Sequence, residues 1–509
     1  MRKQSTKRQI AMNTLTGWLA MGCRMIIALF MVPFLLKHLG KDGYGLIGLM
    51  GVIVSFSTVA DMGLRQALGR ELSEKVANND TEGFRVLSST ALLLYLGIAF
   101  ILIVVGWILA PWFATIFKVP EALRSSAVWM IRLYGSGSLL LSFVTPIFTA
   151  GLQSFLRFDA VNLVKTGSGV IAGILLFICI SFFDISPLII WAVVMFSVLL
   201  FDLIVQGVLY KKYCFSGRLG FSYIKFRELK SLFQLGGYMY VVQLTSAISE
   251  RSDPLVISCF FGTAGLALYQ AGAKLTQMLR PIVLTLSTQV HPLTTRYHVL
   301  DQQDKQRKTL ILGTRYTLLF GLIFSAGIIL FAERFCRLWL FDTLGEDYLT
   351  VTSVMRLWAI ANISNYAGAM HWPLLLGMKK LPFAVAVQIP SAIFNILVSI
   401  YLVGFTSLGI PGVLVATIII GLVRRPIVIW YVSRLTGLSI KEYIRFAYVP
   451  SGVFFVLLLG FWYILKTCLI QNWSTLILYM AMYGVYVALI LIVIERRLIV
   501  GLWHQWKRA

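Results

Sequence analysis

The chain has 509 residues, of which 58% are hydrophobic and only 13% charged, with a mean hydropathy of +0.82. Soluble globular domains carry about a quarter charged residues, so a soluble fold is excluded. The formal net charge of +24 does not imply nucleic acid, because its distribution follows the bias of membrane proteins toward basic cytoplasmic loops.

Apolar runs of about 20 residues, each long enough for a hydrocarbon core of roughly 30 Å, recur from end to end. About 14 spans are predicted, beginning near residues 10, 45, 88, 126, 160, 186, 233, 264, 310, 351, 382, 409, 444 and 474. The N-terminus begins with Arg2, Lys3, Lys7 and Arg8, but Asn13 and Arg24 interrupt the apolar run and no small-residue cleavage site follows. It reads as a first helix, not a removable signal peptide. With the N-terminus inside and alternate crossing, inside segments collect about 28 Lys/Arg and outside segments about seven. Both termini are therefore expected in the cytoplasm.

Spans 1 and 2 are joined by the tight link Leu39-Gly40-Lys41-Asp42-Gly43-Tyr44-Gly45-Leu46. Asn13, Gly17, Ala20 and Arg24 share one stripe of span 1, and Thr58, Asp61 and Arg65 share one of span 2. Asp61 and Arg65 can pair at i,i+4. Span 5 aligns Asn162, Lys165, Gly169 and Gly173, and span 6 adds Asp202 and Gln206. After a basic stretch at 211–232, read either as a surface-lying amphipathic segment or as an ordinary connector, span 7 aligns Tyr240, Gln243, Ala247 and Glu250. Span 8 aligns Gln270, Lys274, Gln277 and Pro281, with Arg280 beside them.

Each charge at bilayer depth costs about 2.5–3.5 kcal/mol even on insertion scales, so these residues should face something other than lipid. Arg315, Arg356, Arg424 and Arg425, together with Arg132, are read as reaching to the headgroups from span ends. Single polar stripes also serve as glue between membrane helices. Five of them, spread over both halves, favour a hydrated cavity of positive sign suited to an anionic ligand.

Gly40-x-x-Gly43 is echoed by Gly262-x-x-Gly265, and Gly151-Leu152-Gln153 by Gly377-Met378-Lys379, at offsets of about 222 and 226 residues. The chain is therefore expected to hold a duplicated six-helix unit related by an axis along the membrane normal. The expected domains are an N-terminal lobe (1–210), the basic connector (211–232), a C-terminal lobe (233–433) and two additional helices with a tail (434–509).

No P-loop, dinucleotide fingerprint or HExxH motif is present, and the five histidines lack metal-ligand spacing. The six scattered cysteines resemble small core residues, not a disulfide framework. His371, beside Trp372-Pro373, reads as a satisfied helix residue. No metal or cofactor is expected.

The opening helix pair, with Asn13, Pro33-Phe34-Leu35-Leu36, Leu39-Gly40, Tyr44-Gly45-Leu46 and Asp61-Met62-Gly63-Leu64, resembles the start of polysaccharide-type flippases of the multidrug/oligosaccharidyl-lipid/polysaccharide (MOP) exporter superfamily. Gly409-Ile410-Pro411-Gly412 fits the same pattern. The resemblance implies an all-α integral membrane fold, two six-helix lobes around a central cavity and two extra C-terminal helices. It further implies alternating access, carrying undecaprenyl-diphosphate-linked oligosaccharide from the inner to the outer leaflet of a bacterial cytoplasmic membrane.

Related lipid II flippases use cavity arginines on helices 1, 2 and 8, where Arg24, Arg65 and either Lys274 or Arg280 fall here. In this reading Arg24, Lys274 and Arg280 hold the diphosphate, while Asn13, Gln243, Gln270 and Gln277 face sugar hydroxyls. Asp61, Asp202 or Glu250 either orients arginines or couples transport to a proton or sodium gradient. Expected partners are the lipid-linked oligosaccharide, membrane lipids and assembly proteins such as a polymerase, with no nucleic acid. One alternative is a cation-coupled drug exporter of the same superfamily, in which the acids would dominate the cavity. Another is a membrane polymerase or ligase, for which the longest outer loop, about Ala332 to Thr350, is short.

Overall fold

The computed structural model describes residues 6–494 apart from 56, 58–63, 215–218, 226, 289, 291–293, 295–296, 298–299, 379 and 467–469. Asp61 and the side chains of Asn13, Gln243 and Glu250 lie outside the described residues. The described chain is helical almost throughout, with no strand. In lipid a backbone must satisfy its own polar groups, and a helix does so within one segment.

The helices are α1 (Thr6–Ser55), α2 (Leu64–Ala77), α3 (Thr81–Ile116), α4 (Glu121–Met130), α5 (Ser136–Ser154), α6 (Phe158–Phe182), α7 (Pro187–Tyr213) and α8 (Arg227–Thr288). They continue with α9 (Gln303–Leu344), α10 (Tyr348–Ala367), α11 (His371–Gly377), α12 (Leu381–Phe405), α13 (Gly412–Thr436), α14 (Ile440–Tyr443), α15 (Val449–Leu459), α16 (Trp462–Lys466) and α17 (Trp473–Ile494). Among the described residues, 11 stretches are long and apolar enough to cross a membrane, against the 14 expected. Two of these stretches, Leu19–Ser55 and Gln303–Gly377, turn internally at Gly40 and Gly345, each at positive φ.

The chain divides into two compact units, Met1–Gln270 and Ala271–Ala509. In the first, Leu68, Phe84, Leu87, Tyr95, Phe143, Ile147 and Tyr210 form a buried core where α2, α3, α5 and α7 meet. Small residues admit the close approaches: a Cβ on Gly151 would lie 2.4 Å from the Tyr210 ring. In the second, Leu319, Leu322, Tyr366, Phe454, Leu458 and Tyr483 join α9, α10, α15 and α17. The outward surface is apolar, as lipid requires, with Phe100, Ile108, Phe182, Phe394 and Val493 among the most exposed side chains.

The backbone repeats itself. Gly40 (φ 68°, ψ 178°) and Gly262 (φ 66°, ψ −163°) break α1 and α8 in the same conformation, one that is essentially confined to glycine. Asn79 (φ 54°) and Asp301 (φ 49°) stand at the same spacing, and the next helices begin at Thr81 and Gln303. Arg157 (φ −89°, ψ 48°) and Lys380 (φ −96°, ψ 36°) each precede a helix of 25 residues. Their amides donate to Leu152 O at 3.0 Å and Leu375 O at 2.8 Å.

The spacing is thus about 222–223 throughout, which corrects the second echo. Gly151 corresponds to Leu374, not Gly377, and that glycine match is a coincidence of composition. The link after each first helix is also joined to its counterpart. Thr263 Oγ1 donates to Asp42 Oδ1 at 2.5 Å, and a Cβ on Gly45 would fall 1.8 Å from Thr263 O.

Within 211–232, Lys211–Tyr213 end α7, a 3-10 turn stands at Phe221–Tyr223 and α8 begins at Arg227. The link between these helices lies on the start of α3, where Ser89 Oγ accepts from the Gly220 amide (3.3 Å) and Thr90 Oγ1 from the Lys225 amide (3.1 Å). Serine and threonine hydroxyls there supply acceptors that a loop backbone needs.

Candidate functional site

In the first unit, α6 brings Lys165 to the other predicted cations. Lys165 is exposed along its side chain, and the charges of Asp202 (α7), Arg65 (α2) and Arg24 (α1) all act on its ammonium. Arg24 is exposed as well, and its Nε donates to Ala20 O one turn back at 3.1 Å. Arg65 is half-buried and donates to Ser142 O on α5 at 3.4 Å. Four helices therefore converge on one cluster of three cations and one carboxylate.

Asp202 is held from its own helix, α7, and from α6. Gln206 Nε2 donates to Oδ2 at 2.9 Å, and Ser168 Oγ to Oδ1 at 3.4 Å. Gln206 is fully buried, and its Oε1 accepts from Thr149 Oγ1 at 2.6 Å. A buried amide must spend both ends on partners, and this chain of bonds fixes the carboxylate opposite Lys165. The other stripe residues pack. Gly17 sits against Asn162, whose amide would be 3.7 Å from a Cβ there, and Gly173 against Ile27 at 3.3 Å. The stripes of spans 1 and 5 are thus helix contacts at their small residues and an open, charged surface at Arg24 and Lys165.

Gln270, expected to face sugar, is half-buried and packs on Gly48, where a Cβ would meet its Cγ at 3.0 Å. Farther along α8, Lys274, Gln277 and Pro281 are exposed on one face, while Ala271, Gly272, Ala273 and Thr276 are buried. In the second unit, Arg280 is half-buried and its charge acts on Arg424 of α13.

Arg424 and Arg425 correct the expectation of headgroup-reaching arginines. They sit midway along a 25-residue helix, and Arg425 donates to the Ser364 carbonyl and, at 3.3 Å, to its hydroxyl. An apolar run of about 20 residues from 409 ends soon after Arg425, whereas the helix continues to Thr436. The Arg132 guanidinium lies over the Trp107 and Trp129 rings, at 5.7 and 5.8 Å. His371 is buried, with Nε2 3.0 Å from the Tyr443 hydroxyl. Among the described residues no group of three or more metal-ligating side chains forms.

The cations of each unit can hold an oxyanion, since a guanidinium presents paired donors to phosphate oxygens and lysine a mobile point charge. Comparison with known proteins bears on which anion. The family model described as "Polysaccharide biosynthesis protein" matches residues 35–353. The chain is 23% identical over 431 residues to the "Uncharacterized membrane protein EpsK" of Bacillus subtilis (strain 168), covering 81% of both chains. It is 23% identical over 272 residues to the "Putative O-antigen transporter" of Shigella flexneri, covering 52% of this chain and 62% of that one. The solved lipid II flippase MurJ, in its inward closed conformation, superposes with a TM-score of 0.70 at 16% identity over 95% of this chain and 100% of MurJ. That likeness shows the fold, an all-helical transporter architecture. The chain is a multi-pass membrane protein and belongs to the polysaccharide biosynthesis protein family, as its resemblance to the polysaccharide-type members of the MOP superfamily implied.

Proposed function

We propose that this protein is a flippase, not an enzyme, and that it moves undecaprenyl-diphosphate-linked oligosaccharide from the inner to the outer leaflet of a bacterial cytoplasmic membrane by alternating access. The substrate is read as an O-antigen or similar surface polysaccharide unit. The observation that carries this reading is that the charges of Arg24, Arg65 and the tethered Asp202 all bear on Lys165. Cations at that depth are costly unless an anion answers them. Family membership and the named O-antigen relative support an anion attached to a saccharide.

In this proposal Arg24, Arg65 and Lys165 receive the diphosphate in one unit, and Lys274 and Arg280, joined by Arg424, hold it in the other. Gln277 and Gln270, with Asn13 and Gln243, meet sugar hydroxyls. The polyprenyl tail stays in lipid, because drawing its length into a wet cavity would forfeit its transfer energy. Asp202, already holding two hydrogen bonds, orients the cluster. Asp61 and Glu250 are left as candidates for coupling to a proton or sodium gradient. The drug-exporter reading needs free acids facing the substrate, and Asp202 is committed to Gln206 and Ser168. Both termini are placed in the cytoplasm by the loop charges, and a polymerase is the expected neighbour in assembly.

The test is complementation of a strain lacking the protein with wild type, Arg24→Ala or Lys274→Ala at matched abundance. Surface polymer and lipid-linked precursor on the cytoplasmic leaflet are measured. Loss of polymer with precursor build-up, unrelieved by the variants, is expected. Normal polymer in the deletion strain, with new sensitivity to cationic dyes, would sink the proposal.

A further inference from the structure

The second unit contains a cavity of about 990 Å³ that the proposed transport does not use. It opens among α9, the start of α10, α15, α16 and the turn before α17. Its polar wall is made by Arg334, Arg337, Arg356, Glu333 and Gln471. Two of these arginines are fixed by backbone carbonyls: Arg334 donates to Leu465 O at 2.9 Å and Arg356 to Ile329 O at 3.2 Å. Glu333 is spent on Arg356, with Oε2 3.0 Å from a guanidinium nitrogen. Arg337 is exposed and has no hydrogen bond or ion pair among the described residues. The cavity therefore carries two uncompensated positive charges, with a further cation, Lys466, stacked over its lining residue Trp462 at 5.3 Å.

Leu338 and Leu459 add apolar lining. It borders an outer surface where Trp462, Tyr463 and Ile464 are exposed. Tryptophan and tyrosine at a helix end mark the headgroup level of a bilayer, and the loop charges place this end outside. Guanidinium groups beside apolar lining at headgroup depth match a phosphate group on an amphiphile. The tetrahedral oxyanion takes paired donors, and the chain lies along the leucines.

We infer that this cavity is a second, separate binding site for a phosphate group, carried by an anionic lipid of the outer leaflet or arriving free. It shares no residue with those assigned to translocation. The argument is independent of the transport reading, since it uses none of the residues assigned to that function.

The experiment is native mass spectrometry of the full chain in detergent. The probes are phosphatidylglycerol, phosphatidylcholine with the same acyl chains, and inorganic phosphate as competitor. Wild type should retain phosphatidylglycerol over phosphatidylcholine by about tenfold, the loss expected when one charge-assisted pair is removed. Arg337→Gln should abolish that preference, and Arg337→Lys should keep part of it. Leu459→Trp, which fills the site from its apolar lining, should reduce binding without altering charge. Melting temperatures near wild type establish that each variant is folded. Displacement by inorganic phosphate would show that the bare anion suffices; loss in Arg337→Gln without such displacement would show that a lipid headgroup is needed. An unchanged preference in both Arg337→Gln and Leu459→Trp overturns the inference.

Discussion

Replacing three glycines of the paired links by alanine should destabilise the protein in a definite order. Gly40 has φ 68° and nothing within 4 Å of a Cβ, so Gly40→Ala costs only backbone strain, about 1–2 kcal/mol. Gly262 has nearly the same φ, but its Cβ would stand 3.3 Å from Lys118 O. A few tenths of an ångström of adjustment should add up to about 1 kcal/mol. Gly45 is helical and free of strain, and alanine there even gains about 0.5–1 kcal/mol of propensity. Its Cβ, however, would fall 1.8 Å from Thr263 O, which forces two backbones apart. Overpacking of this kind costs about 1–3 kcal/mol, and the Asp42–Thr263 bond loosened with it about 1.5 kcal/mol or more.

The net order is Gly45→Ala worst, then Gly262→Ala, then Gly40→Ala. At about 2 °C per kcal/mol for a unit of this size, thermal unfolding of the purified protein should fall by about 3 °C for Gly40→Ala and by about 5–6 °C for Gly45→Ala. If Gly45→Ala melts with wild type, or Gly40→Ala melts lowest, the packing of the two links against each other is wrong.

Other outcomes follow from the same geometry. Lys165→Met should lower precursor translocation at least tenfold in the complemented strain, with Lys165→Arg retaining much of it; equal activity of both with wild type would remove Lys165 from the site. Gln206→Leu leaves Asp202 only the 3.4 Å contact to Ser168 and should cost about 2–3 kcal/mol, while Thr149→Val should cost about 1 kcal/mol, both read from thermal unfolding. Asp80 accepts from the Gly83 amide at 2.8 Å and faces Lys75 at 3.0 Å, which together hold its carboxyl below the usual range, the Gly83 bond contributing most. A depressed carboxyl contributes stability above its unfolded value that is lost as pH falls through the folded one. Asp80→Asn, which can still cap the helix, should thus be slightly less stable than wild type at pH 7, and the gap should close on acidification below about pH 4.

Much of this was legible from residue types alone. Hydropathy and length gave a helical membrane chain, because a bilayer leaves few other choices. The Gly40 and Gly262 links were readable since one backbone conformation demands glycine in both. The Gly151–Gly377 pairing misled, because glycine also recurs wherever helices touch, as Gly151 does at Tyr210. Lys165 and Asp202 each stood out as a misplaced charge, but their joining depends on how α6 meets α7, which no periodicity states. Arg424 and Arg425 were misjudged for a related reason. A charge near the end of an apolar run looks like a headgroup contact, and only the bounds of α13 put it in the middle. The cavity around Arg337 draws on helices far apart in the chain and left no local pattern.

The equivalent helices α3 and α9 have 36 and 42 residues, lengths of about 54 and 63 Å where the hydrocarbon of a bilayer takes only about 30 Å. Both rods start just after a residue of positive φ, Asn79 or Asp301, and both open with polar turns. Each repeat therefore carries a stiff helix with slack outside the oil. A thicker or thinner membrane can be met by sliding or tilting these rods instead of stretching the bilayer. Such a chain should tolerate lipids of differing tail length better than one whose helices match a single thickness.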